Sequence, residues 1–474
     1  MGGRPFTSSG CANCRKRKIK CDLLKPECAR CIKRGVLCLG YDRDRCFLHH
    51  NIISLPTRTG ETKRPVRQLI DHIRPLALGT AFSVSAEVRT QLFSTFMDTF
   101  FASNIRVNGK DDSLYFLMAR FPILAGESEA LDRSMIALAS SFLAKTKNDR
   151  WLACEGLGIY NTALNAMVRA IRLNSAPTFN MLYATIILHT FETMNGSDTS
   201  VQNCFRHVQG ATAILKQYDF QGQDMDNLAQ AMLTRQKWAA LAHFMINTRL
   251  GFDVDQECLL LQPDRSPIDQ MFKLLVEWRR LSRDLHKIIG SGDGNREACG
   301  ELLQRCFEVE RKLHVDWLNG PALDLGGTPV LTSQDGEWQE SSLMPKFDHL
   351  FYDFDNLSVA KTYLLYWVIS LLTSRIIYEV QKLLGGHCDF TQMVSYATKI
   401  LRSVPYCIQR DRQMSAVHVV IFVLSQASRC YTFCGMKEEF ERCQQIYHLI
   451  ALRGFDMAAH TAEKHLADWY ITHH

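Results

Sequence analysis

From about residue 85 onward, apolar residues recur at helical spacing. Leu92, Phe93, Phe96, Phe100 and Phe101 form one such stripe, and Leu157, Tyr160, Ala163, Leu164, Met167 and Ile171 another. Residues 181–194 are a nearly unbroken apolar run of helical length, followed by a stripe of Phe205, Val208, Ala211, Ile214 and Leu215. Further helices are predicted over 229–249, 269–289, 297–317, 356–384, 391–401, 415–434 and 437–459. Alternating strand patterns are absent, and Gly- and Pro-bearing breaks at 291–295 and 319–329 separate the helices. The pattern predicts a mostly α chain whose main body is one large all-α domain over 85–474. A charged, Gly-rich surface segment is expected at about 318–346, and no solenoid repeat is evident.

Before residue 85 the helical pattern fails. Residues 41–84 mix charges, histidines and Pro56, Pro65 and Pro75, and read as a linker with one short helix near 68–74. Residues 1–40 carry little apolar bulk but six cysteines, Cys11, Cys14, Cys21, Cys28, Cys31 and Cys38, spaced C-x2-C-x6-C-x6-C-x2-C-x6-C. The half Cys11–Cys21 repeats as Cys28–Cys38 at an offset of seventeen, so two similar half-sites are expected. Six thiolates cannot give two separate zinc ions four ligands each; if two sulfurs bridge, both ions become tetrahedral. The first cysteine of each half, Cys11 and Cys28, is the natural bridging pair. So short a segment cannot bury enough apolar surface to fold alone. Metal binding would supply on the order of 10 kcal/mol per structural zinc, and without zinc the segment is expected to be unfolded.

Charge adds a partner to this picture. The net charge is +6, yet residues 1–40 hold ten Lys/Arg against two Asp/Glu, while the rest of the chain holds 45 against 47. All the excess positive charge sits at one end, which points to a polyanion. Two Zn²⁺ with six thiolates carry −2, so the module keeps about +6 of its formal +8. Five cations, Arg15, Lys16, Arg17, Lys18 and Lys20, fall between the second and third cysteines, on a short helix expected to start at the CxxC. One turn cannot aim all five at one groove: some would grip phosphates, and one or two would reach base edges of double-stranded DNA. The same basic run also suits nuclear import. Pro26, in the loop joining the halves, would fix their relative orientation.

Other classes recede. The first ten residues have no signal-peptide core, and Phe6 stands where a myristoylation signal needs Ser or Thr. The most apolar stretch, 359–377, carries Lys361 and Arg375 and reads as a buried core helix, so no membrane partner is expected. Of seventeen cysteines, the eleven outside the cluster are scattered, as buried thiols in a reducing compartment would be. No nucleophile elbow, phosphate-binding Gly loop or HExxH occurs, and no enzymatic activity is expected.

The run C-A-N-C-R-K-R-K-I-K-C-D, then P-E-C-A-R-C and a final cysteine, resembles the fungal Zn(2)-Cys(6) binuclear cluster transcription factors. The resemblance covers less than a tenth of the chain. It implies two Zn²⁺ per chain, with Cys11 and Cys28 bridging, and a nuclear RNA polymerase II regulator. It further implies that Lys18 reads a CGG triplet in the major groove, with Arg15, Lys16, Arg17 and Lys20 mainly on the backbone. Tyr160, Ala163, Leu164, residues 183–188, Phe191, Glu192, and the Arg206, His207, Gly210, Ala211 step are similar to fungal-specific transcription factor domain 2. That likeness implies a helical regulatory domain acting on the transcription machinery or co-regulators. Relatives often dimerise through a coiled coil after the cluster; residues 41–75 show no sustained heptads, so a homodimer is left open.

Four other groups have bland readings. Cys430 and Cys434 read as core thiols, and Cys46 with His49 and His50 as a chance linker grouping rather than a third metal site. Glu192 and His207 read as helix-packing residues with satisfied hydrogen bonds rather than a catalytic pair. The acid–aromatic run 347–355, with Asp353 and Asp355, reads as the capped lead-in to the next core helix rather than an activation segment or metal site. An alternative function keeps the helical domain as a sensor for an apolar metabolite, on the strength of a chain rich in Phe and Met, 26 and 16 residues.

Overall fold

The computed structural model describes residues 11, 14, 17, 19–24 and 28–34, then 86–101, 113–173, 178–216, 227–246, 260, 266–291, 296–333, 350–409 and 413–473. The linker 41–84, with its expected helix near 68–74 and the Cys46, His49 and His50 group, lies outside the described residues. The chain divides into two compact units, Met1–Arg64 and Pro65–His474.

In the first unit the cysteines themselves are the core. Cys11, Cys14, Cys28 and Cys31 are buried with Cys21 packed against them, while Ile19, Leu23, Leu24 and Ile32 are exposed. The described helix here is a single turn, α1 (Ala29–Ile32), capped by Cys28, whose side chain accepts from the Cys31 N–H. Sulfur thus does what a serine or aspartate usually does at a helix start.

The second unit is helical. Its first half comprises α2 (Ala86–Phe100), α3 (Ser113–Leu124), α4 (Glu129–Thr146), α5 (Arg150–Leu173), α6 (Phe179–Met194), α7 (Asp198–Leu215) and α8 (Asn227–Ile246). Its second half begins with α9 (Pro267–Ser291) and α10 (Arg296–Arg311), which runs on into a π-helical turn, Lys312–Trp317. Then follow α11 (Leu357–Leu383), α12 (Thr391–Cys407), α13 (Gln413–Cys434), α14 (Lys437–Leu452) and α15 (Asp456–His473). Side-chain oxygens of Ser128, Thr178, Ser197 and Asn356 accept backbone N–H groups at the starts of α4, α6, α7 and α11. Those bonds satisfy donors that the helix itself leaves unpaired.

One continuous apolar core joins these helices. Helix α4 packs on α5 and α6, α6 on α7, α11 on α9, α10, α12 and α13, and α13 on α14 and α15. The phenylalanine stripe of α2 is seated as its spacing implies: Phe96, Phe100 and Phe101 are buried, with Phe96 and Phe100 edge-on to Phe142 of α4. Residues 359–377 fall within α11. Among the described residues two helices are long and apolar enough to cross a membrane, α11 and 416–434 of α13, but 83% and 67% of their most apolar windows are buried in the core.

The structure departs from the pattern in three places. First, the domain is not wholly α: β1 (Val330–Ser333) and β2 (Leu350–Asp353) pair antiparallel, Val330 opposite Asp353. Four-residue strands are too short for alternation to register, and their pairing is non-local. Second, the stretch expected as one helix over 437–459 is two, α14 and α15, broken at Gly454, whose φ of +98° no helix accommodates. Third, α3 and α4 escaped the periodicity. Nearly every side chain from Ala130 to Ala144 is buried, so α4 has no polar face to make a stripe.

Candidate metal centre and nucleic-acid interface

The cluster is assembled by short chain segments that place sulfur against sulfur. Cys11 Sγ lies 3.6 Å from Cys28 Sγ and 3.8 Å from Cys31 Sγ, and Cys28 Sγ lies 3.8 Å from Cys14 Sγ. A tetrahedral zinc with Zn–S bonds of about 2.3 Å sets its sulfurs about 3.8 Å apart. The Sγ atoms of Cys11, Cys14, Cys21 and Cys28 all lie within 4.8 Å of one another, a complete ligand set for one ion. Cys11 and Cys28 also face Cys31, a fifth sulfur beside the set of four. Cys38, the sixth cysteine, lies outside the described residues.

The two halves share their backbone chemistry. Cys14 N–H donates to Cys11 Sγ at 3.4 Å, and seventeen residues on Cys31 N–H donates to Cys28 Sγ at 3.3 Å. Cys11 N–H reaches Cys21 Sγ at 3.5 Å. Such N–H groups orient metal-bound thiolates and offset their charge. Removal from water and the neighbouring thiols push Cys14 up to about 12 and Cys28 further above the ordinary thiol range. Left to themselves these sulfurs would stay protonated, with little holding them together. A dication must displace the protons, which ties the fold of this segment to metal and to pH.

The cations of the first half are only partly described. Arg17 and Lys20 are exposed; Arg15, Lys16 and Lys18 lie outside the described residues. Ile19 N–H bonds Cys14 O at 3.0 Å. Leu23 sits at φ 64°, and Leu24 N–H bonds Asp22 Oδ1 at 3.3 Å, a tight turn just after the third cysteine. Pro26 lies outside the described residues. In the second half Arg30, Lys33 and Arg34 are also exposed. Sequence reasoning passed over these three, although the seventeen-residue repeat puts Lys33 and Arg34 where Lys16 and Arg17 stand in the first half; Arg30 falls inside the second CxxC at the place of Asn13.

Residues 9–45 match the family model of the fungal Zn(2)-Cys(6) binuclear cluster domain. The N-terminal segment is a fungal-type binuclear zinc cluster. A domain of this kind holds two zinc ions, and the four grouped sulfurs fit one of them. Two relatives carry the same segment. Arginine metabolism regulation protein II of Saccharomyces cerevisiae is 55% identical over 40 residues, 8% of this chain and 4% of that protein. An uncharacterized transcriptional regulatory protein of Schizosaccharomyces pombe is 55% identical over 38 residues, 8% of this chain and 7% of its own length. The likeness is confined to the zinc cluster and spans under a tenth of either relative. No solved structure matches the chain.

The groups flagged elsewhere are absorbed by packing. Tyr160 of α5 donates to Glu192 Oε1 of α6 at 2.5 Å and lies 3.0 Å from His207 Nε2 of α7. Asn203 Nδ2 donates to the same Glu192 oxygen at 2.9 Å. Burial, reinforced by the nearby Arg206 charge, lowers His207 to about 4, and burial against Glu192 raises Tyr160 above its ordinary range. These are satisfied helix-packing residues, as expected. Cys430 is buried in the core with Cys434 half-buried beside it. Asp353 Oδ1 accepts Phe354 N–H at 3.0 Å, and Phe354 packs between Trp367 and Tyr406. The acid–aromatic run is therefore a lead-in to α11, formed partly as strand.

Proposed function

We propose that this protein is a sequence-specific, DNA-binding regulator of RNA polymerase II transcription acting in the nucleus. The observation that carries the reading is the zinc cluster itself, four of whose sulfurs stand at single-ion spacing in the one segment that holds the chain's excess positive charge. In this reading Cys11, Cys14, Cys21, Cys28, Cys31 and Cys38 hold two Zn²⁺, with Cys11 and Cys28 bridging. Lys18 reads base edges of a CGG-like triplet, and Arg15, Lys16, Arg17 and Lys20 bind phosphates. Residues 1–40 bind double-stranded DNA, 41–84 tether, and the helical domain 85–474, similar in its motif residues to fungal-specific transcription factor domain 2, acts on co-regulators. The names of both relatives describe regulators, which supports a regulatory rather than an enzymatic role.

The test is in vitro selection of DNA sites with the zinc-loaded full-length protein. Enrichment of CGG triplets is expected, and the number of half-sites in the winners reports monomer or dimer binding. Lys18→Ala should flatten the preference for the triplet, while Lys20→Ala should weaken binding to all sequences alike. A selection that ends without any enriched motif would remove the reading.

A further inference from the structure

Helix α13 ends in a pair of thiols one turn apart, Cys430 and Cys434. Cys430 is buried and Cys434 is half-buried. Side chains at this spacing share a helix face, with Cβ atoms about 5–6 Å from one another. The Cys430 S–H donates a hydrogen bond to the Cys434 sulfur. A cation stands nearby. Arg375 of α11 lays its guanidinium on the ring of Phe433, Cζ 3.1 Å from the centroid, and donates to Glu379 Oε1 through Nε and Nη2 at 3.0 and 2.7 Å. The bond from Cys430, opposed by burial and joined by the Arg375 charge, holds Cys434 below the ordinary thiol range. The same bond, together with burial, pushes Cys430 above it. The pair is therefore asymmetric: one sulfur dissociates first and is open to solvent, while the other keeps its proton inside the core.

Electropositive, partly exposed surroundings make a thiolate reactive at neutral pH. An alkylating electrophile would need Cys434 alone. A second thiol has a use where the first sulfur becomes a group that can be displaced, as oxidation to a sulfenic acid makes it. We propose that Cys434 and Cys430 form a peroxide-sensitive pair, in which a hydroperoxide oxidises Cys434 and Cys430 closes the disulfide. The Cys434 thiolate attacks one peroxide oxygen, the O–O bond breaks, and the other oxygen leaves as water or an alcohol with the thiol's proton. The Cys430 sulfur then attacks the Cys434 sulfenic acid. The S–O bond breaks, the S–S bond forms, and the hydroxyl leaves as water with the Cys430 proton. The peroxide takes up the two electrons that the sulfurs give. A disulfide needs Cβ atoms about 3.5–4.5 Å apart, so the pair has to close by roughly 1–2 Å. Cys434 is the last residue of α13, Gly435 follows at φ 70°, and the Gly435 and Met436 N–H groups bond back to Thr432 O and Tyr431 O. A last turn tightens readily, so closure there disturbs one turn and not the core. This chemistry does not rest on the transcription-regulator reading.

The experiment uses zinc-loaded full-length protein without DNA and reads each cysteine by mass spectrometry, so its outcome is separate from that of the site selection. Tryptic cleavage after Arg429 and Lys437 puts both sulfurs in one peptide that holds no other cysteine. With limiting iodoacetamide at pH 7, Cys434 should react more than about threefold faster than Cys154, although Cys154 is the more exposed of the two. After hydrogen peroxide, peptide 430–437 should emerge two hydrogens lighter and closed to alkylation, and dithiothreitol should reopen both sulfurs. Cys430→Ser, which keeps a donor beside Cys434, should stop at the sulfenic acid and be trapped there by dimedone. Should this variant fail to fold, the wild-type readings decide alone. The proposal is overturned if Cys434 reacts no faster than Cys154, if peroxide leaves the peptide unoxidised, or if wild-type Cys434 stops at an oxyacid or pairs with another cysteine.

Discussion

A tyrosine hydroxyl buried between a carboxylate and an imidazole cannot be removed cheaply. In Tyr160→Phe the ring still stacks on Phe191, whose centroid is 4.4 Å away, but Glu192 and His207 each lose a partner. Leaving buried polar groups unsatisfied costs about 1–3 kcal/mol, to be read as a lower midpoint in chemical unfolding. His207 makes stability depend on pH. Its ordinary value is 6.5 and its folded value about 4, so the unfolded chain takes up the proton first. The stabilisation is therefore whole above pH 6.5, is lost as pH falls toward 4, and amounts to roughly 3 kcal/mol. The stability of His207→Gln should fall less than wild type between pH 7 and pH 4.5. The six cysteines showed themselves in the sequence because their spacing is local. Glu192 and His207 stood out as a pair, but that Tyr160 bonds both did not, because the three stand on three helices that only packing brings together. At the cluster, the bridging proposed for Cys28 means that Cys28→Ser would remove a ligand from both ions, whereas Cys21→Ser would remove one from a single ion. Zinc content by mass spectrometry should thus fall further for Cys28→Ser, and equal losses would argue against bridging by Cys28.

At the scale of elements, turns between helices are tied to one another, as the helix faces are. Lys145, at the end of α4, donates to Met194 O, to Gly454 O at 3.5 Å and to Asp456 Oδ2 at 2.8 Å. One ammonium group thereby ties the α6–α7 and α14–α15 turns to α4. Gly196 lies in the first of these turns, and a Cβ there would stand 2.0 Å from the Asp456 carbonyl oxygen. Backbone cannot swing aside as a side-chain tip can. Gly196→Ala should therefore destabilise the fold by more than about 2 kcal/mol, seen as a Tm several degrees lower. The helical stripes were legible because an amphipathic face repeats every turn. The α14–α15 break at Gly454 and the β1–β2 pair were not: a single glycine is common within helical patterns, and four-residue strands gain their partners from tertiary contact. The π-helical turn Lys312–Trp317 also gave no sign of itself within 297–317. It seats Trp317 on Tyr366, ring centroids 5.2 Å apart, a contact no periodicity encodes.

For the whole molecule the decisive contrast is between a unit whose core is sulfur and metal and a unit whose core is hydrocarbon. Among the described residues, the helical core and the cluster core share no member. A chelator strong enough to strip zinc should therefore unfold the first and leave the second standing. In calorimetry of the full-length protein, the main cooperative transition should keep its Tm within a few degrees, while DNA binding is lost. Stripping becomes easier as pH falls, since protons compete for thiols that the cluster's burial already favours as neutral. Zinc restored in excess should bring DNA binding back, because the helical unit never left its fold. With metal present, binding should weaken steeply with salt, log K falling against log [salt] at about 0.9 per phosphate neutralised. About +6 of charge remains on residues 1–40 after the thiolates and zinc are counted, so a slope of magnitude about 3 to 6 is expected. A slope near zero would mean that the basic segment does not face phosphates. A fall in the main transition upon chelation would mean that the zinc cluster is built into the helical unit.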